Sequence, residues 1–187
     1  MTENQGNIND DTAKDSTSEP ARSGPPIQLA EEVLNPKGQQ TLDLIRNSFG
    51  TGLINSGGRD DLPWVSIPLN SIVEVAEKCR DSSELQMDML HCLFAVDYVE
   101  HIELNYILFS IQNGRKMIIK TNLSAQEPSI NSITHLWDAA AWYERETHDL
   151  FGVFFEGNND LEPLLLFEGF QGHPGLKSFP LHDYEEY

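Results

Sequence analysis

Hydrophobic positions recur along this chain with two different periods, and the changes of period mark out its elements. Between Ala30 and Phe49 the apolar residues Leu34, Leu42, Ile45 and Phe49 are interrupted by Asn35-Pro36-Lys37-Gly38. The spacing predicts a helix from about Gly38 to Phe49, ended by Gly50 and Gly52. Asn55 to Asp61 is turn-rich and reads as a loop. Trp64 to Leu69 alternates apolar with small or polar residues, and Pro68 favours an edge position for that strand. Asn70 or Ser71 is placed to cap a helix carrying Ile72, Val73, Val75, Ala76 and Cys79.

From Met87 to Thr121 the period is two. Leu90 to Val99 and Glu103 to Ile111 read as strands, the second with Leu104, Tyr106, Leu108 and Ser110 on one face. Asn113-Gly114 is a two-residue hairpin signal, and Lys116 to Lys120 is the next strand. With the Trp64 strand, this meander predicts an α+β fold: a four-stranded, largely antiparallel sheet with helices on one face. Leu136, Ala140, Tyr143, Thr147 and Leu150 then recur at helical spacing, with Ser132 or Thr134 to cap the start and Gly152 to follow the end. A second row holds Asp138, Trp142, Arg145 and Asp149, so Arg145 is expected between two aspartates. Glu144 and His148 stand at i, i+4, a spacing that serves a surface pair or two metal ligands; no third ligand is evident. Cys79 and Cys92 are read as buried free thiols.

After Gly152 the chain is rich in glycine and proline yet keeps large apolar residues, among them Phe154, Phe155, Leu161, Leu164 to Phe167, Phe170, Phe179 and Leu181. Such an extended, irregular segment must pack on its own domain or on another chain. The domain organisation is therefore 1–29 a disordered acidic tail, 30–152 the α+β domain, and 153–187 a partner-binding segment. Residues 1–26 hold one large apolar residue, Ile8, too little to offset their ordering entropy.

Charge narrows the partners. The net charge is −18, and residues 138–187 alone carry eleven acidic against two basic side chains. An anionic nucleic acid or lipid surface would repel this chain, whereas a basic protein partner would not. Two cysteines are too few for a four-cysteine zinc or iron–sulfur site within the chain. No apolar run approaches the roughly 20 residues of a membrane span, and the polar, acidic N-terminus reads as neither signal nor transit peptide. No Gly-x-Ser-x-Gly, phosphate loop or His-Glu-x-x-His is present to suggest hydrolase or transferase chemistry.

The most specific pattern lies in the last quarter. Trp137, Ala140, Trp142, Glu144-Arg145-Glu146, Asp149 and Phe151-Gly152 are followed by Phe155-Glu156-Gly157, Asp160-Leu161, Phe170-x-Gly172-His173-Pro174 and Lys177-x-Phe179-Pro180-Leu181. This combination resembles the signature of the 30-kilodalton-type subunit of the complex I family of proton-pumping NADH:quinone oxidoreductases. The likeness is tight over about 134–184 and looser over 30–133. Two stretches depart from the usual pattern. Gly157-Asn158-Asn159-Asp160-Leu161-Glu162-Pro163 stands where the family has Gly-His-Pro-Asp-Leu-Arg-Arg, and Gly175-Leu176-Lys177-Ser178 lacks the usual arginine and aspartate.

The resemblance implies a non-catalytic subunit of the hydrophilic arm. It would pack on the large quinone-pocket subunit and beside iron–sulfur subunits, peripheral to the cytoplasmic face of the membrane. It would bind no cofactor itself, flavin and clusters belonging to its partners. Trp142, Glu144, Arg145, Glu146, Asp149, Phe151, Gly152, Phe170, Gly172, His173, Pro174, Lys177, Phe179 and Pro180 would position the tail and the partner rather than do chemistry. The electron donor of such a complex is NADH, reduced coenzyme F420 or ferredoxin. Two other readings stand beside this one: the equivalent subunit of a membrane-bound hydrogenase-type complex, and an acidic interaction module with no redox role.

Overall fold

The structure, a computed structural model, describes residues 33–180. The tail expected over 1–29 and the last residues from Leu181 lie outside the described residues. Helix α1 (Pro36–Phe49) starts where the Asn35 side chain accepts the Gly38 N–H, with Pro36 at its first position, and ends at Gly50. Strands β1 (Asn55–Arg59) and β2 (Leu62–Ser66) follow as an antiparallel hairpin. Helix α2 (Ile72–Asp81) comes next. Strands β3 (Met89–Asp97), β4 (His101–Ser110) and β5 (Arg115–Ser124) form the predicted meander. A short strand β6 (Ser129–Asn131), helix α3 (Ala140–Phe151) and strand β7 (Phe154–Glu156) complete the described regular elements.

The fold is α+β as expected, with five strands in the main sheet rather than four, ordered β1-β2-β5-β4-β3. Three of the four strand pairings are antiparallel; β2 joins β5 in parallel, Trp64 opposite Ile118. The extra strand β1 occupies the stretch expected as a loop. Its sequence, Asn-Ser-Gly-Gly-Arg, has no apolar alternation because it is small by necessity: a Cβ on Gly58 would lie 2.6 Å from the Pro63 Cα. With β1 added, β2 is an interior strand rather than an edge, and Pro68 lies beyond its end. Ser71 stands before α2 without capping it, its hydroxyl donating instead to the Pro68 carbonyl.

The predicted inward face of β4 is correct. Leu104, Tyr106, Leu108 and Ser110 are buried, together with Met117 and Ile119 of β5, Val65 of β2 and Leu93 of β3. Leu42 and Ile45 of α1 and Val75, Ala76 and Cys79 of α2 join the same cluster. The buried Cys79 thiol lies 3.9 Å from the Met117 sulfur, and burial pushes its pKa up to about 12. The last helix begins later than expected. Ser132 and Thr134 hydroxyls bond one another at 2.9 Å, and the chain from 132 to 139 runs through turns before α3 starts at Ala140. Strands β6 and β7 pair in parallel, Ile130 opposite Phe155, and bring the chain back along α3. Beyond β7 the described chain, to Pro180, is irregular.

Candidate functional site

Helix α3 is the post to which the C-terminal segment is strapped, and each polar row of the helix holds a different part of it. Glu144 is 0 % exposed. One of its carboxylate oxygens accepts the Ile133 N–H at 2.9 Å and the other accepts from the Asn158 side chain at 3.0 Å. Burial raises its carboxyl above the ordinary glutamate value, against the pull of these donors. It is not the surface partner of His148 that i, i+4 spacing suggests. His148 turns the other way, its Nδ1–H donating to the Val153 carbonyl.

Arg145 does not sit between Asp138 and Asp149. Its guanidinium reaches forward to the strap, bonding the Glu162 carbonyl, the Asp160 carboxylate and the Pro163 carbonyl at 3.1, 3.2 and 3.1 Å. Its Cζ stands 5.7 Å from the Trp142 ring. Asp149 is aimed at backbone. One oxygen accepts three successive N–H groups, from Leu164, Leu165 and Leu166, at 3.2, 2.8 and 2.9 Å. Burial pushes the Asp149 carboxyl up, but the three donors reverse this and hold it below the usual carboxylate range. Glu146, half-buried, helps raise the nearby Cys92 thiol, after burial the second cause.

The end of α3 forms a second clasp. Gly152 caps the helix at φ +72°, and the His173 ring lies against it, so that a Cβ there would meet the ring at 2.7 Å. His173 Nδ1–H donates to the Asp149 carbonyl, and the Gly175 N–H donates to the Leu150 carbonyl. A side chain at Gly175 would strike the Phe151 ring. Pro174, between them, is half-buried. Further on, the Lys177 N–H donates to Asp97 at 2.7 Å, on the far end of β3. The Lys177 ammonium stands 5.9 Å from the Tyr98 ring centre. That N–H and the Val99 N–H together hold the Asp97 carboxyl low.

The aromatic residues divide into two groups. Phe170 stacks on Phe179 with ring centres 5.8 Å apart, and Gly172 lets Phe179 approach. Those two rings thus cover each other. Phe167 meets Phe170 edge-on but is 71 % exposed, and Leu165 and Trp142 are about as open, at 60 % and 62 %. Pro180 is exposed. Exposed carboxylates at Glu162 and Glu168 lie along the same stretch. Sequence reasoning assigned no role to Asn158 or to Asp97 in the strap. An aspartate closing a strand just before a two-residue turn was the available signal for Asp97.

Among the described residues no cluster of three or more His, Cys, Asp or Glu is arranged to hold a metal ion. What the arrangement can do is mechanical. Carboxylates and a guanidinium fix an irregular segment by its backbone, and large apolar side chains are left facing outward in an acidic surround.

The family described as "Respiratory-chain NADH dehydrogenase, 30 Kd subunit" matches residues 65–185. The NADH-quinone oxidoreductase C-subunit 2 of Rhizobium meliloti (strain 1021) is 33% identical over 148 residues, covering 78% of this chain and 81% of its own. The NADH-quinone oxidoreductase C-subunit of Roseiflexus sp. (strain RS-1) is 36% identical over 144 residues, 75% of this chain and 82% of its own. Among solved structures, a trypsin-resistant fragment of Nqo5 matches with a TM-score of 0.55 at 24% identity, covering 66% of this chain and 98% of that one. A chain from the membrane-bound sulfane sulfur reductase, an archaeal respiratory membrane complex, matches with a TM-score of 0.60 at 25% identity, covering 78% and 86%.

Proposed function

The chain belongs to the family of the 30 kDa subunit of respiratory-chain NADH dehydrogenase, and from that premise we propose that it is a non-catalytic, hydrophilic-arm subunit of a complex I-like oxidoreductase. In this reading it packs on the large quinone-pocket subunit through the strapped C-terminal segment. It shapes one side of the electron path from NADH, reduced F420 or ferredoxin to a quinone-type carrier. Flavin and iron–sulfur clusters belong to its partners. No helix among the described residues is long and apolar enough to cross a membrane, so attachment to the cytoplasmic face would run through the complex.

One observation carries the proposal: the segment 157–180 is irregular yet fixed, and it presents Leu165 and Phe167 outward, while Trp142 of α3 is exposed as well. Leaving such side chains in water serves no folding purpose. Burying each on a partner would contribute roughly 1.5–3 kcal/mol before the costs of association. The acidic surround fits a partner surface with basic residues at its rim. A second reading, the equivalent subunit of a related respiratory complex with a different acceptor, draws on the likeness to the sulfane sulfur reductase chain.

Purification of the full chain from native membranes in mild detergent tests the proposal, with partners identified by mass spectrometry and an absorption spectrum of the eluate. Recovery of a quinone-pocket subunit with iron–sulfur proteins is the expected result. Recovery of a colourless, solitary chain would overturn it. In the full chain, Leu165→Ser with Phe167→Ser removes the two outward side chains; the variant should fold and no longer co-purify.

A further inference from the structure

The turn between β3 and β4 carries a conformational cost at a solvent-exposed residue. The Tyr98 N–H donates to the His101 carbonyl, leaving Val99 and Glu100 as a two-residue loop. Val99 has φ +72°. That is the first central position of a hairpin turn, where glycine is usual, and a β-branched residue there is strained. The other non-glycine residues at positive φ among the described residues, Asp60 and Gln86, are polar and unbranched at Cβ. Val99 is also 66 % exposed, so its methyl groups add little to the core. Asp97 holds the strained turn in place by accepting the Val99 N–H at 2.6 Å, and Tyr98 stacks on His101 with ring centres 5.0 Å apart. A strained backbone that exhibits a valine to solvent points to something outside the chain.

We infer that the Tyr98–Val99 tip is a second contact with the same partner chain that receives the C-terminal segment, with Val99 entering an apolar pocket of that partner. The inference rests on the docking reading above. Continuity joins the two surfaces. The Asp97 carboxylate that holds the Val99 N–H with one oxygen holds the Lys177 N–H of the strap with the other. Val99 and Leu176 line one small cleft, and the Lys177 ammonium lies over Tyr98. Charge selects the occupant. A second copy of a chain at net −18 is repelled, as is an anionic lipid surface, whereas a partner with a basic rim suits Glu100 and the acidic strap alike.

Photo-crosslinking residues placed at 99 and at 167 in the full chain, in native membranes, test the idea together with Val99→Gly and Val99→Ala. The expected result is capture of one and the same chain from both positions. Val99→Gly should raise the Tm of the isolated full chain by about 2–4 °C, since strain is relieved. It should also weaken retention in the complex about tenfold, since the side chain is gone. Val99→Ala keeps a Cβ at the strained angle, so it should weaken retention with little gain in Tm. Capture from 167 but not from 99, or of different chains from the two, would overturn the inference and leave the docking reading standing. So would a Val99→Gly chain that assembles like wild type, or one that gains no stability. Silence at both positions would overturn the docking reading and this inference with it.

Discussion

Single residues in this molecule are constrained by what leans on them. Gly152 is fixed twice, by its left-handed backbone and by the His173 ring against its Cα. Gly152→Ala should therefore cost about 1–3 kcal/mol and free the 170–180 stretch, which limited proteolysis and thermal unfolding would report; unchanged protection would contradict the clasp. Glu144 makes a prediction in pH. Its carboxyl is raised, so the folded state holds the proton more tightly than the unfolded state. Stability from that source is greatest below the ordinary glutamate range, near pH 4, and is lost as pH rises through the folded value. Urea midpoints measured from pH 5 to 8 should thus favour Glu144→Gln increasingly over wild type. Glu144→Ala, which abandons the Ile133 N–H in the interior, should cost about 2 kcal/mol or more at any pH. The helical signature was plain in the sequence, but which polar row turns inward was not. Glu144 reads as surface because nothing in a linear pattern reveals that Ile133 and Asn158 would come to meet it.

At the level of elements, the meander and the two flanking helices were legible because period and turn chemistry agree there: alternation in β4, Asn113-Gly114 at the β4–β5 turn, Gly50 after α1. Strand β1 was not, because its residues are chosen for closeness to Pro63 and Leu34 rather than for apolar burial. The start of α3 was misplaced because Ser132 and Thr134 serve one another and the Glu144 environment instead of a helix end. The strap was legible as apolar and irregular, though not its fastening, since Asp149 grips three backbone N–H groups that have no sequence identity. Arg145→Lys makes the fastening measurable. A single ammonium does not span three acceptors in the fork arrangement of a guanidinium, so hydrogen exchange over 160–166 should accelerate severalfold while the sheet amides stay as slow as in wild type. Asn158, which stands where the family pattern has histidine, is itself a strap fastener here, donating to Glu144, while Asp160, which keeps the family's aspartate, holds Arg145. The departure has its own internal partners.

For the whole molecule, charge sets the terms of association. The Asp97 and Asp149 carboxyls both lie low, held by backbone donors, so their contribution is complete above about pH 4 and fades as pH falls through their folded values. The strap should accordingly loosen in acid before the sheet unfolds, seen as protease sensitivity after Gly157 while far-ultraviolet circular dichroism holds. An acidic chain meeting a basic rim associates faster at low ionic strength, and the association rate should fall as salt shortens the screening length below its ~8 Å value at 0.15 M. The parallel pairing of β2 with β5 has a consequence on another axis, that of time. Trp64 pairs with Ile118, and everything between them must leave the ribosome before that ladder can close. At about 5–20 residues per second, the β1–β2 hairpin waits several seconds as a small two-stranded ribbon with Trp64 uncovered. Only the β3–β4 hairpin can form in the meantime, so the β1–β2 ribbon is made first and docks only once β5 has emerged. Nascent chains stalled just short of Arg115 are the species in which a chaperone would find that ribbon.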